Sequence, residues 1–357
     1  MRTSRGSSFP PVDAAPTAGV IHREPARPLR LADRAMQPAA RWLDTDKMAH
    51  LGIRNTMRLA KRYNGLLYGS HQRFRERLWE NYLEQLAGEN GGGLGTAGRV
   101  RMEDGFAIDT TGSLPYLDEL LEAADEVIAE RAGTAPVDDR YRAFFRHLLE
   151  VGDLDRWPQL LDFVTSSQLI ATVGDYLGFI PALSKTLPTG VRVVESGKHL
   201  DALAHLAPRD SQVFHIDPYD HPMVYVIVLA RDCSPEAGPF TFLPASASER
   251  AARRLDYWSR GRPYRLSDEE VYSVVDESER VELTYPRGTV LFVDTSRCFH
   301  YGARDGEEPR FQIMYGLTSA CRCDFSESYM PQFDYTINPG DSRLRRLVLD
   351  RRAGSAD

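Results

Sequence analysis

From about residue 189 onward the chain is cut into short apolar runs, and that texture constrains its fold more than any other feature. Residues 191–194, 212–216, 223–230, 240–243, 281–283, 289–293 and 311–317 are rich in β-branched and aromatic side chains and bounded by Gly, Pro, Asp or Ser. Runs of this kind predict strands, and seven of them in about 130 residues predict a β-sandwich or barrel. Between them, residues 246–279 have helical character, with Ser267 and Glu270 spaced as a capping box. The longest apolar run, 223–230, falls far short of the ~20 residues that cross a bilayer, so no membrane contact is expected.

The first half reads differently. Leu59, Tyr63, Leu66 and Leu67 recur at helical spacing within 45–86, and Leu117, Leu120, Leu121 and Ala124 form a core-facing stripe within 113–131. Helical patterns also cover 139–151 and 157–177, and a glycine-rich loop lies at 88–98 without the Lys-Ser/Thr that would make it a phosphate cradle. Residues 1–44 open with six prolines, six arginines and only three acids in the first 40, which predicts a mobile tail. A basic helix or tail closes the chain at 342–357. The expected organisation is one catalytic domain, 45–341, with a helical part at 45–188 and a β core at 189–320 interrupted by the 246–279 insert. The 357 residues carry 44 Lys+Arg against 51 Asp+Glu, a net −7, which excludes a generally basic nucleic-acid coat. Four cysteines, two of them in a C-x-C pair, are too few for a disulfide scaffold, and no secretory pattern opens the chain. A cytoplasmic setting with reduced thiols is expected.

The chemistry concentrates at His215-Ile-Asp217. On a strand, residues i and i+2 share a face about 7 Å apart along the backbone, so an imidazole and a carboxylate can converge on one ion. A third ligand has to come from a neighbouring strand, and His300, just after the run 289–293, offers it. Two His and one carboxylate on a single face of an octahedral ion form the facial triad of non-haem Fe(II) oxygenases. H-x-D alone is weak, and this chain repeats it at His199/Asp201 with a variant at His22/Glu24. His199 sits in a loop or short helix, where i and i+2 diverge by about 200°. A lone His beside an apolar run is more often a hydrogen-bonded core residue, so His300 gains its meaning from its partners. Arg310, ten residues after His300, leads into the run 311–317 and could grip a carboxylate bidentately. A surface ion pair with Glu307 or Glu308 is the alternative.

The ordered set His215-x-Asp217, Gly238-Pro-Phe-Thr-Phe-Leu-Pro244, Gly288-Thr-Val-Leu-Phe-Val-Asp294, His300-x-Gly302 and Arg310 resembles the phytanoyl-CoA dioxygenase family of Fe(II)/2-oxoglutarate oxygenases. The likeness spans roughly residues 103–319, with Asp104-Gly-Phe106 resembling the family's early strand. It implies an α+β fold, a double-stranded β-helix (a jelly-roll or cupin-like barrel) with a helical N-terminal half and a helical insert. It also implies Fe(II) held by His215, Asp217 and His300, with 2-oxoglutarate and O2 as co-substrates and Arg310 on the distal carboxylate of 2-oxoglutarate. Gln212 is a co-substrate candidate only if its strand bulges. The implied reaction is hydroxylation of a small-molecule C–H bond with release of succinate and CO2. Asp217 fills the position that related halogenases leave open for halide.

Other readings stay open at this stage. The same ligands would serve a cupin-type enzyme that uses no 2-oxoglutarate, and the barrel would also serve a binding protein without turnover. His221 could compete for the metal, or line the mouth of the site or cap a turn. Arg250, Arg253, Arg254, Arg260, Arg262 and Arg265 crowd the insert, either as a lid over an anionic substrate or, more ordinarily, as a solvated helix face.

Overall fold

The computed structural model describes residues 20–22, 51–89, 100–134, 144–150, 152–185, 190–201, 204–304, 306–326 and 335–355. The expected tail, apart from 20–22, and most of the expected glycine-rich loop lie outside them. Strand β1 (Val20–His22), within the stretch read as tail, pairs antiparallel with the last strand of the chain. Helix α1 follows at Ile53–Glu89, 37 residues and therefore about 55 Å long. Its buried stripe is Ile53, Met57, Ala60, Asn64, Leu67, His71, Phe74, Leu78 and Tyr82, whereas Leu59 and Leu66 are exposed. The apolar spacing found by sequence was thus out of phase. Polar residues, Thr56, Asn64, His71 and Arg75, also hold inward positions, so a purely apolar pattern points to the wrong face.

Strand β2 (Phe106–Asp109) precedes helix α2 (Leu117–Arg131), which buries Leu117, Leu120, Leu121 and Ala124 as its spacing predicts. Where the sequence predicts a helix at 139–151, the described part is strand β3 (Phe145–His147), paired with β5 below. The helix expected at 157–177 is broken into α4 (Gln159–Val164) and α5 (Ser167–Leu177), preceded by a short α3 (Asp153–Arg156). The break has a local cause: the Thr165 hydroxyl donates back to the Leu161 carbonyl at 2.7 Å, and Ser166 turns extended, φ −63° and ψ 141°.

Strand β4 (Ala182–Leu183) lies outside the expected runs; β5 (Val191–Ser196), β6 (Val224–Leu229) and β7 (Thr241–Phe242) fall on them, followed by α6 (Ala245–Arg254) and α7 (Asp268–Tyr272). After the insert come β8 (Val281–Glu282), β9 (Val290–Val293), β10 (His300–Tyr301) and β11 (Arg310–Thr318), then α8 (Arg343–Leu349) and β12 (Ala353–Ser355). The expected capping box forms: Glu270 N–H donates to the Ser267 hydroxyl at 3.2 Å and Ser267 N–H to the Glu270 carboxylate at 2.8 Å.

The result is a mixed fold of helices and antiparallel sheet. The larger sheet runs β2-β9-β6-β11-β5-β3, with β4 also on β11, and the smaller β10-β7-β8. Strand β6 shows why the apolar runs are unbroken. Val224, Val226 and Val228 face the helices, against residues such as Leu120, Phe163 and Ile170. Tyr225, Ile227 and Leu229 face the smaller sheet, against Phe242 and Leu283. A strand buried on both faces has no polar side to alternate with. Among the described residues no helix is long and apolar enough to cross a membrane, and the four cysteines are free and buried.

Candidate metal centre

Residues 212–216, expected as a strand, form none of regular pairing. Gln212 ends a short 3-10 turn that begins at Asp210, whose φ is +51°. The chain then runs extended, held by backbone bonds on alternating sides. His215 and His300 exchange N–H to carbonyl bonds at 3.1 and 3.0 Å, Phe214 and Leu266 at 3.1 and 2.8 Å, and Asp217 N–H reaches the Thr295 carbonyl at 2.8 Å. The period of two survives without a continuous ladder. Phe214 and Ile216 enter a second apolar core with Tyr257, Val271 and Phe299 of the insert and its surroundings. His215 and Asp217 face the other way.

They meet His300 there. The ligand-capable atoms of His215, Asp217 and His300 lie within 4.8 Å of one another, and all three residues are buried. His300 Nε2 is 3.6 Å from an Asp217 oxygen, and the two imidazole centroids are 4.3 Å apart. Each ring is oriented by its own chain: His215 Nδ1 bonds the Val213 carbonyl and His300 Nδ1 the Cys298 carbonyl, both at 2.9 Å. A carbonyl accepts only, so each Nδ1 is the donor, and Nε2 is the nitrogen left to ligate a metal. Two neutral imidazoles and a carboxylate, pre-oriented and without a cation among them, fit a divalent first-row metal. Phe240 stacks on His300 at 5.4 Å and 30°.

The triad opens into a cavity between the sheets that is continuous with solvent. Arg310 lines it, 3% exposed. Its Nε donates to the Ser196 hydroxyl at 3.2 Å and one terminal nitrogen to the Gly238 carbonyl. The surface-pair alternative is overturned: Glu307 pairs with Lys198 at 2.5 Å and Glu308 accepts from the Ser234 hydroxyl at 3.2 Å. Among the described residues no carboxylate pairs with Arg310, and burial, partly opposed by the Cys233 thiol, draws its pKa down to about 10. A guanidinium desolvated without a counter-ion is costly, and a carboxylate ligand in the cavity would supply one. Gly302 lies beside Arg310 on the cavity wall.

Gln212 is not brought to the triad. Its amide is engaged with the Ala303 carbonyl at 3.0 Å and Arg209 N–H at 3.2 Å, beside a separate small cleft. His221 also stays off the metal face, with Nδ1 3.0 Å from the Ser296 hydroxyl. None of the six insert arginines lines the cavity. Arg250 pairs with Glu279, Arg254 reaches the Val274 carbonyl at 2.5 Å and Arg265 lies 3.5 Å from Asp210, so the lid reading gives way to a surface one. His199 of the second H-x-D motif sits in a 3-10 turn, its Nε2 2.9 Å from Glu195. The residues missed by sequence include Arg192, Tyr225, Gln312 and Met314, all on strands. One signal was available, a lone arginine inside the apolar run 191–194.

No family model matches the chain, and no curated protein sequence matches it. Solved structures do resemble it at low similarity. AviO1 from Streptomyces viridochromogenes Tue57 shares 16% identity over 60% of this chain and 90% of its own, TM-score 0.38. The epimerase SnoN, in complex with Fe3+, alpha ketoglutarate and nogalamycin RO, shares 15% over 78% and 96%, TM-score 0.39. HygX from Streptomyces hygroscopicus, with nickel and 2-oxoglutarate bound, shares 15% over 60% and 82%, TM-score 0.39. At such distances no chemistry passes from them to this chain, whose own side chains have to supply it.

Proposed function

We propose that this chain is an Fe(II)- and 2-oxoglutarate-dependent dioxygenase, similar to the phytanoyl-CoA dioxygenase family, that hydroxylates a C–H bond of a small molecule. One observation carries the reading: a pre-oriented two-His, one-carboxylate set and a buried arginine that has no carboxylate partner among the described residues line the same cavity. We read the two facing sheets as the halves of a double-stranded β-helix.

His215, Asp217 and His300 would hold the iron on one face and leave the others for co-substrates. When bound, iron and 2-oxoglutarate would couple O2 reduction to loss of CO2, giving succinate and the oxidising power to break a C–H bond. Arg310 would pair with the distal carboxylate of 2-oxoglutarate, fixing its orientation and regaining the counter-ion that burial denies it. The Val213 and Cys298 carbonyls keep both imidazoles in the ligating tautomer. Phe240 and Tyr225 wall the cavity and limit water, which would otherwise compete for the ion. Asp217, by occupying its ligand position, favours hydroxylation over halogenation. Four free, buried thiols suit a reducing cytoplasm.

The test is turnover. With Fe(II), O2 and 2-oxoglutarate, the wild-type protein is expected to release succinate during a screen of lipids, amino acids, CoA esters and natural-product scaffolds. Asp217→Ala is expected to release none. No succinate from any candidate, together with no binding of 2-oxoglutarate, would point instead to a metal enzyme of another class.

A further inference from the structure

We infer that Arg192 anchors a carboxylate group of the substrate, so that the substrate is a small organic acid with a compact apolar body. The inference rests on the oxygenase reading above for the word substrate, though not for the anion site itself. Arg192 is the second buried arginine of the cavity, 8% exposed, on β5. One terminal nitrogen donates to the Tyr225 hydroxyl at 2.8 Å. Its Nε is buried with no hydrogen-bond partner, and among the described residues no acid pairs with it. Neighbouring Gln312 adds a second buried donor without a partner, its Nε2, on the wall of the same cavity. Donors left unpaired in a buried site ask for an acceptor-rich group. A planar carboxylate matches that set once the Arg192 and Gln312 side chains turn toward it, since neither atom opens onto the cavity as the side chains stand.

Register separates this position from the one assigned to 2-oxoglutarate. On β11, Arg310 stands opposite Ser196 and Met314 opposite Arg192. Four residues of strand put the two arginines' levels about 13 Å apart along the sheet. Tyr225, which holds Arg192, stands at the level of Gly316, farther still from Arg310. The cavity thus has a cationic group towards each end. Phe145, Tyr225, Phe240 and Met314 supply apolar wall, which suits an apolar body behind the carboxylate.

The test is thermal denaturation of nickel-loaded protein saturated with 2-oxoglutarate, so that the Arg310 position is filled. Acetate, 3-phenylpropanoate and decanoate are each compared with the corresponding amide. At least one acid is expected to raise Tm by about 2 °C at ten times its Kd, its amide not. Arg192→Gln is expected to abolish that rise, Arg192→Lys to keep part of it, and both to keep the stabilisation by 2-oxoglutarate itself. The inference is overturned if no acid differs from its amide, if Arg192→Gln responds like wild type, or if that variant loses the 2-oxoglutarate response. The two readings fail separately. An acid response lost in Arg192→Gln, with no 2-oxoglutarate response in wild type, would keep the anion site and sink the oxygenase reading.

Discussion

At the scale of single residues, the site is defined by what each polar group lacks. His215 and His300 have their Nδ1 protons committed to backbone carbonyls, so their lone pairs face Asp217 and one another. Removing the carboxylate leaves two neutral donors, and Asp217→Ala is expected to weaken Fe(II) binding at least about 100-fold, since even a partner behind the ligands is worth 10–100-fold. Metal titration with a folding control by circular dichroism checks this. Arg310 makes the opposite case, a charge without a carboxylate. Arg310→Gln is expected to raise the Kd for 2-oxoglutarate by roughly 30-fold or more, the loss typical when one partner of a buried charge pair is truncated, while leaving the Tm of the ligand-free protein unchanged or higher. Calorimetric titration and thermal melts read the two effects. The pH dependence follows in sign. Burial lowers the Arg310 pKa from its ordinary value to about 10, so above that pH the folded protein binds fewer protons than the unfolded one. The cost of the buried charge is present in full below about pH 10 and is relieved as pH rises above it. Because Arg310 stays charged through neutral pH, its contribution to 2-oxoglutarate affinity is expected to be independent of pH there and to fall near pH 10, where the guanidine becomes neutral.

At the scale of elements, the strands of the second half were legible because they are buried on both faces. Val224–Leu229 is apolar and buried at every position, as is Val290–Val293. The metal pair was legible for a related reason: Phe214 and Ile216 go into one core and His215 and Asp217 into the cavity, a period of two that needs no continuous ladder. Gln212 was not, because the turn at Asp210 redirects it. Helix α1 was found in the wrong phase because Asn64, His71 and Arg75 occupy inward positions. Asn64, for example, donates to the Arg322 and Asp324 carbonyls at 2.8 and 2.9 Å. Strand β3 reads locally as helix and becomes strand only by pairing with β5. The turn before β7 gives a direct test. Gly238 has φ +64°, and a Cβ there would stand 2.4 Å from the Arg304 carbonyl oxygen. Since the Gly238 carbonyl also receives Arg310, Gly238→Ala is expected to cost about 1–3 kcal/mol and to weaken 2-oxoglutarate binding. Urea denaturation and ligand titration on the same variant report both.

At the scale of the molecule, the segment around α8 is tied to the core that carries the sheets. Arg75 of α1 is fully buried and donates to the carbonyls of Ile180 at 3.1 Å, Pro181 at 3.2 Å, and Leu347 and Asp350 at 2.7 Å. Two of these four acceptors belong to α8 and the residue after it, in the segment read from sequence as a basic helix or tail. Stopping the chain at Asp341 would remove both and strand a buried guanidinium, so that truncation is expected to unfold the protein or lower its stability by roughly 3–5 kcal/mol, measured by urea denaturation. The fold thus holds its long helix, its sheets and its C-terminal segment in one packed unit, and the cavity inherits its rigidity from them. The central claim, that two imidazoles and a carboxylate hold a ferrous ion beside an arginine that binds 2-oxoglutarate, is tested most directly by anaerobic titration of Fe(II) and 2-oxoglutarate followed by visible absorption. One equivalent of each is expected to give the weak charge-transfer band of a chelated 2-oxoglutarate, absent in His300→Ala and shifted to higher 2-oxoglutarate concentration in Arg310→Gln. A wild-type protein that binds no iron under these conditions, or a band equally strong in His300→Ala, would contradict it.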